Sequence, residues 1–229
     1  MEYKALEMET DTFTNIDELE DALLNDIKSS LSDAIKKRGE ATLLLSGGST
    51  PINLYKKLSS VQLEWNKVII GLVDERYVPT TSEHSNEKMI RETLYKGKVE
   101  NSKLIGMVYY ANDSAKNLEH VINEYETHFS TIDFCLLGMG GDGHTASLFP
   151  DDPASEKSLN GNSEKIVITT IAPNYPERRI TCSFDFLKKS KNISLMITGK
   201  EKTTLLENKE RKPLPIDYFR KSLNIYCTK

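Results

Sequence analysis

Residues 132–150 of the chain read IDFCLLGMGGDGHTASLFP, an apolar run that leads directly into a loop with four glycines. The run predicts a buried β-strand, and the glycines predict a turn that leaves side chains exposed at the carboxyl end of that strand. Open α/β sheets bind their ligands at this edge. Histidine can act as a base near neutral pH, and Asp142 is close enough to His144 in sequence to fix the tautomer of its imidazole or to handle protons itself. The loop is therefore predicted to be catalytic.

Apolar runs recur along the rest of the chain and alternate with segments of helical spacing. Strands are predicted over 41–45, 68–73, 132–137, 166–171, 193–197 and 223–226, with a short edge strand over 1–10. Helices are predicted over 16–34 with a stop at Gly39, 51–58, 86–95, 113–129 and 199–207. The alternation predicts an α/β fold with a largely parallel sheet that is covered by helices on both faces. Since no linker divides the sequence, a single domain over residues 1–229 is expected.

The bulk composition argues against several classes of protein. The 229 residues include 30 basic and 34 acidic side chains, interspersed, so neither nucleic acid nor an anionic membrane is an expected partner. No apolar stretch has the length of a membrane span and the amino terminus has no signal pattern, which predicts a cytoplasmic protein. The three cysteines and four histidines lack the spacing of a disulfide scaffold or a metal site, so no metal is expected. The oligomeric state stays open, and a monomer is compatible with the sequence.

A second glycine loop lies between the strand at 41–45 and the next helix. It consists of Ser46, Gly47, Gly48, Ser49 and Thr50. Such a turn gathers main-chain N–H groups, hydroxyls and the positive end of a helix around one point, which suits a phosphate group. It is not a Walker A loop, because no Gly-Lys-Ser/Thr follows. The alternative is an ordinary capped connection from strand to helix.

Charged side chains follow other strands at the same predicted edge. Asp74, Glu75 and Arg76 end the strand at 68–73, where an arginine can bind a carboxylate or phosphate in bidentate fashion or pair with its acidic neighbours at the surface. Arg178, Arg179 and Lys200 are further candidates for a cationic phosphate clamp. Each of these three is equally compatible with a solvated surface charge.

The loop at 138–143 is also a literal G-x-G-x-x-G, the pattern of a dinucleotide-binding turn. That fold requires an uninterrupted helix after the glycines and an acidic residue about 20 positions later. Pro150 and Pro153 interrupt the segment that follows, and the candidate acid, Glu164, lies beside a loop-like Asn-Gly-Asn. A nicotinamide cofactor is therefore not the favoured prediction, and no cofactor is expected.

Taken together, these motifs resemble the 6-phosphogluconolactonase family. The resemblance depends on 45–51 (LSGGSTP), 74–79 (DERYVP), Ser85-Asn86 followed by Met89, and 138–150, with Arg179-Ile180-Thr181 and Gly199-Lys200 also fitting. The resemblance implies a Rossmann-like sheet related to the glucosamine-6-phosphate deaminases. It also implies hydrolysis of 6-phosphoglucono-δ-lactone to 6-phosphogluconate, the second step of the oxidative pentose phosphate pathway, with a sugar phosphate lactone as the small-molecule partner.

Carried over residue by residue, the resemblance makes His144 the base. Of the other catalytic candidates, Asp142 is expected to orient His144 or to assist the proton transfers, and Arg76 to stabilise developing charge or to bind the substrate. The sugar phosphate is held by residues 46–50, Arg179 and Lys200, and Asp74 and Asn86 are further substrate-binding candidates. The main-chain N–H groups of Gly140 and Gly141 are expected to stabilise the oxyanion. Whether Arg178 or Arg179 meets the phosphate stays open, although register with Ile180-Thr181 favours Arg179.

Two rival functions share this kind of fold. A deaminase is expected to place a further carboxylate shortly after the histidine, where this chain has Leu148 and Phe149. A non-catalytic sugar-phosphate sensor usually has an appended DNA-binding helix pair, and the first forty residues instead predict one long helix. The lactonase is the favoured interpretation.

Overall fold

A computed structural model describes residues 10–208 and 210–228. Its strands are β1 (Thr10–Phe13), β2 (Ala41–Leu45), β3 (Val68–Leu72), β4 (Asp74–Arg76), β5 (Lys103–Ile105), β6 (Phe134–Leu137), β7 (Val167–Ile171), β8 (Arg178–Cys182), β9 (Asn192–Ile197) and β10 (Leu223–Thr228). The α-helices are α1 (Ile16–Arg38), α2 (Ile52–Leu58), α3 (Asn86–Thr93), α4 (Ser114–His128), α5 (Pro153–Leu159), α6 (Phe184–Leu187) and α7 (Lys200–Glu207). Short 3₁₀ helices cover Trp65–Lys67, Gly97–Asn101 and Pro215–Ser222.

Seven strands form one sheet in the order β1-β10-β9-β6-β2-β3-β5, and every pairing in it is parallel. All residues of β2 and β6 are buried, as expected for central strands of a sheet covered on both faces. The predicted α/β class with a largely parallel sheet is confirmed. The predicted edge strand over 1–10 lies almost wholly outside the described residues, and the edge strand β1 begins at Thr10.

Helix α1 shows why the sequence pattern predicts the elements well. The Asn15 side chain accepts a hydrogen bond from the Glu18 N–H, which caps the first turn. Gly39 ends the helix with a left-handed φ of 84°, the conformation in which glycine is favoured. Between these ends the apolar residues recur on one face, which packs into the core at Leu19, Leu23, Ile27 and Leu31.

A second, smaller sheet was not predicted. Strands β4, β8 and β7 pair antiparallel in that order, so the run at 166–171 does not join the parallel sheet. The strands β4, β5 and β8 were themselves missed, because they are short and rich in charged residues and so lack an apolar run. In this small sheet Arg76 lies directly opposite Arg179.

The strand order decides where a ligand is expected. From β2 the chain continues to β3 and β5 on one side, and β6, β9 and β10 then follow on the other side. Ligands in open α/β sheets bind outside the carboxyl ends of the strands where the order reverses, which here is the crevice between β2 and β6. Among the helices that are described, none combines the length and apolar character needed to cross a membrane.

Candidate active site

A cleft of about 220 Å³ opens at the carboxyl ends of β2 and β6. It brings together both glycine loops and the start of the small sheet. Most of the sequence-predicted site residues line it, namely Ser46, Gly47, Gly48, Ser49, Thr50, Asp74, Arg76, Asn86, Gly140, His144 and Arg179. The predicted residues Asp142, Gly141, Arg178 and Lys200 do not.

The loop at 46–50 is held in place by its first residue. The Ser46 hydroxyl donates to the Leu136 carbonyl oxygen at 2.8 Å and accepts from the Gly138 N–H at 3.2 Å, so it ties the two glycine loops together. Gly47 needs to be glycine, since a Cβ there would lie 1.9 Å from Oδ1 of Asn86. Helix α2 starts at Ile52 without a side-chain cap, so the loop is not an ordinary capped connection from strand to helix.

The His144 ring is oriented by its predicted partner. Nδ1 lies 2.5 Å from Oδ1 of Asp142, and the same oxygen accepts from the His144 main-chain N–H at 3.1 Å. Burial opposes ionisation of Asp142, but the hydrogen bond from the ring, the charge of His144 and main-chain hydrogen bonds together outweigh burial, so the pKa of the carboxyl group is lowered. With Nδ1 donating to a carboxylate, a neutral His144 has its lone pair on Nε2, the atom a general base uses.

The loop around His144 is closed by main-chain bonds. The Gly140 N–H donates to the His144 carbonyl at 2.9 Å, and the Gly143 N–H donates to the Gly140 carbonyl at 3.0 Å. The expectation that the Gly140 N–H stabilises an oxyanion was therefore wrong, because that donor is already used. A Cβ on Gly140 would lie 2.2 Å from Cε1 of His144, so the imidazole packs directly on this glycine.

Phe149 is a site residue whose role the sequence analysis missed. Its buried ring lies 4.6 Å from the His144 ring, centroid to centroid, and the Arg179 guanidinium lies 5.5 Å from its centroid. It supports the proposed base and a proposed phosphate ligand at the same time. The family motif contained this residue, but only the folded loop shows what it contacts.

The two arginines that face each other across β4 and β8 are each held by a main-chain carbonyl. Nη1 of Arg76 donates to the His84 oxygen at 2.8 Å, and Nε of Arg179 donates to the Pro176 oxygen at 2.7 Å. The pKa of Arg179 is lowered by burial, against the attraction of Asp74, and the positive charge of Arg76 acts in the same direction as burial. An anion placed near both cations would relieve their mutual repulsion.

The structure separates the adjacent arginines. Arg179 is half-buried and lines the cleft, whereas Arg178 is exposed and its guanidinium lies 4.8 Å from the centroid of the Tyr77 ring. Consecutive residues of a strand point to opposite faces, which is why only one of them is available to this site.

A lysine lines the cleft, but it is Lys202 rather than Lys200. Lys200 is the first residue of α7 and is exposed. The buried residue Leu206 shows which face of this helix packs against the protein. Residues four apart share a helix face, so Lys202 lies on the same side as Leu206 and Lys200 does not. That spacing is the signal by which the sequence could have identified the lysine.

Asp74 is buried at the floor of the cleft, where its Oδ2 accepts from the Ser147 hydroxyl at 2.5 Å. This bond joins the end of the histidine loop to the small sheet. Ser147 is a second residue that the sequence analysis did not single out.

The described residues do not form the surroundings that a dinucleotide or a metal ion would need. After the G-x-G-x-x-G the chain makes an isolated antiparallel bridge between Thr145 and Leu148, and α5 does not begin until Pro153. The long helix of a dinucleotide turn does not follow this loop. Within the described ranges no three His, Cys, Asp or Glu side chains cluster as metal ligands.

Comparison with known proteins connects this cleft to a family. Residues 14–226 match the family described as glucosamine-6-phosphate isomerases/6-phosphogluconolactonase. A 6-phosphogluconolactonase of Rhizobium meliloti is 35% identical over 199 residues, covering 86% of this chain and 85% of that protein. One from Helicobacter pylori is 36% identical over 208 residues, covering 89% of each chain.

Solved structures show the same architecture. A crystal structure of a 6-phosphogluconolactonase from Shewanella baltica superimposes with a TM-score of 0.91 at 30% identity, covering 97% of this chain and 98% of that one. The corresponding protein of Thermotoga maritima superimposes with a TM-score of 0.78 at 29% identity, covering 96% and 99%.

Proposed function

The chain belongs to the glucosamine-6-phosphate isomerase/6-phosphogluconolactonase family, and on that premise we propose that it hydrolyses 6-phosphoglucono-δ-lactone to 6-phosphogluconate in the oxidative pentose phosphate pathway. The observation that carries the proposal is the cleft itself. An imidazole paired with a carboxylate shares about 220 Å³ with two arginines, a lysine and a glycine loop. One end offers a base and the other offers cations and amides for a phosphate group.

The phosphate end uses charge and main-chain donors. The N–H groups of residues 46–50 and the cations of Lys202 and Arg179 are the proposed ligands. Lys202 replaces Lys200 in this proposal, because Lys202 lines the cleft and Lys200 does not. Since the phosphate is remote from the reacting carbon, these groups bind the ground state and the transition state alike and act mainly on KM.

The reacting end uses His144 twice. Neutral Nε2 takes a proton from a water molecule, whose oxygen attacks the lactone carbonyl carbon and gives a tetrahedral oxyanion. The imidazolium then returns that proton to the ring oxygen as the bond from carbon to ring oxygen breaks, leaving a carboxylic acid that ionises to the product. Asp142, ionised because its pKa is low, stabilises the imidazolium without accepting the proton.

Two donors are candidates for the oxyanion. The Gly141 N–H lies in the same turn as His144, and the Nε–H of Arg76 is buried without a hydrogen-bond partner among the residues described. A preorganised donor of this kind is worth about 10²–10³ in rate.

The related deaminase activity is the second candidate, because the family description covers both reactions. The residues after His144 argue against it, since Phe149 packs on the ring at the place where a further carboxylate was expected. The relatives of 35–36% identity described above also have the lactonase name.

The deciding experiment measures both reactions on purified protein. Acid release from freshly prepared 6-phosphogluconolactone, corrected for spontaneous opening, is expected to be saturable and to fall about 10²–10⁴-fold in His144→Ala. Ammonia release from glucosamine 6-phosphate is expected to stay at background. The proposal fails if the wild-type rate of acid release does not exceed the spontaneous rate.

A further inference from the structure

Glu75 is a buried carboxylate beside the cleft but outside its lining, with 1% of its surface exposed. Four donors converge on it. Oε1 accepts from the main-chain N–H groups of Arg76 and Asn86, each at 2.7 Å. Oε2 accepts from the Glu87 N–H at 2.7 Å and from the Ser85 hydroxyl at 3.0 Å. One side chain thus binds the backbone of β4 and the first turn of α3 together.

Two residues that line the cleft, Arg76 and Asn86, donate their main-chain N–H groups to this carboxylate, so their positions depend on it. Asn86 begins α3, donates from Nδ2 to the Asp74 carbonyl at 3.0 Å and packs its Oδ1 against Gly47 of the phosphate loop. The main-chain N–H of Arg76 donates to the same carboxylate oxygen as that of Asn86, and Arg76 lines the cleft. A shift of Glu75 would therefore move a candidate oxyanion donor and a wall of the phosphate loop at once.

Burial and hydrogen bonding act on the charge of Glu75 in opposite directions. Burial is the larger influence, so the pKa of Glu75 is raised to about 7 although the hydrogen bonds from Asn86, Glu87, Arg76 and Ser85 lower it. A negative charge at the amino-terminal end of α3 also interacts favourably with the helix dipole. Three main-chain N–H groups would be left buried and unpaired without it.

We propose that Glu75 is a positioning residue for lactone hydrolysis, which acts by holding Arg76 and Asn86 in the cleft through four hydrogen bonds to its carboxylate. This role rests on the hydrolytic function proposed above. We therefore expect substitution of Glu75 to lower turnover far more than it lowers the stability of the fold, because displacing a catalytic group by about 1 Å can cost about 10²-fold in rate.

The experiment compares Glu75→Gln with a matched buried carboxylate far from the cleft. Asp133 is also buried, lies at the opposite end of β6 from the cleft, and accepts from the Thr42 N–H at 3.0 Å and from Arg38 and Lys191. Glu75→Gln is expected to lower kcat/KM by about 10- to 100-fold. Asp133→Asn is expected to lower the melting temperature while leaving kcat/KM within about threefold of wild type. Equal losses of kcat/KM in the two variants would mean that Glu75 is only structural.

A double-mutant cycle tests whether Glu75 acts through Arg76. In an Arg76→Ala background, Glu75→Gln is expected to lower kcat/KM by a smaller factor than it does in the wild-type background, since one of the two groups that it positions has gone. Fully additive losses would overturn the proposal. If Glu75→Gln does not fold, Glu75→Asp retains the charge on a shorter arm. The proposal then predicts a fall in kcat/KM in a folded protein, and wild-type kcat/KM in this variant refutes it.

The two proposals fail in different ways. Wild-type protein without lactonase activity would refute the function itself. Active wild-type protein with an unchanged Glu75→Gln variant would refute only the positioning role.

Discussion

Replacing Asp142 by Asn isolates the charge that orients the proposed base. Asparagine keeps an oxygen at the position of Oδ1, so the 3.1 Å hydrogen bond from the His144 main-chain N–H can persist. What is lost is the negative charge beside Nδ1, where the ring lies 2.5 Å from the carboxylate. The substitution therefore changes the electrostatics of the imidazole and little else.

The size of the effect follows from the exposure of the pair. Opposite unit charges about 4 Å apart attract by about 1 kcal/mol in water and by about 4 kcal/mol at an effective dielectric constant near 20. The side chains of His144 and Asp142 are 31% and 40% exposed, which places the pair between these limits. Losing about 1–3 kcal/mol of stabilisation of the imidazolium corresponds to a fall in kcat of about 5- to 150-fold.

The assay is the initial rate of acid release from fresh 6-phosphogluconolactone at several substrate concentrations, corrected for spontaneous opening. KM is expected to change by less than about threefold, because Asp142 does not line the cleft. In a His144→Ala background the same substitution should have almost no further effect, since the two side chains act as one unit. An Asp142→Asn variant with wild-type kcat, or one that costs as much without the histidine as with it, would refute the assignment.

Three other expectations follow from the geometry. Lys202→Ala should raise KM by about tenfold or more and change kcat by less than about threefold. Lys200→Ala should leave both constants unchanged. The opposite result in steady-state kinetics would restore Lys200 as the phosphate ligand. Gly140→Ala should lower kcat by about 10²-fold or more, since its Cβ would lie 2.2 Å from the His144 ring. Gly141→Ala should retain most of the activity in the same assay, because a Cβ there meets nothing within 4 Å. Burial raises the pKa of Asp133, but its hydrogen bonds with Lys191, the Thr42 N–H and Arg38 together outweigh burial and lower it. The contribution of this carboxylate to stability is therefore present above the unfolded pKa of about 3.9 and is lost as the pH falls through the lower folded value. The stability difference between wild type and Asp133→Asn in urea unfolding should accordingly be constant near neutral pH and shrink below about pH 4, and a difference that grows in acid would contradict this account.

The sequence by itself determined the class of fold and the edge of the sheet at which the site lies. Apolar runs such as 41–45 and 132–137 are typical of strands that are buried on both faces, so they predicted the central parallel strands, whereas the run at 166–171 pairs antiparallel in the small sheet. The glycine loops that follow these runs then lie at the carboxyl edge because of chain direction alone. This is why His144, Arg76 and residues 46–50 were predicted correctly to lie together.

Tertiary structure alone decided the details that depend on contacts between distant residues. The antiparallel pairing of β4 with β8 brings Arg76 opposite Arg179, and these strands are too short and too polar to show in the sequence pattern. The first turn of α3 brings its N–H groups onto Glu75, a contact made across eleven and twelve positions of the chain. Local patterns record burial and turn chemistry, whereas register, helix phase and the partners of a buried charge are determined by how the elements pack, and these packing choices determine which of two adjacent charges enters the cleft.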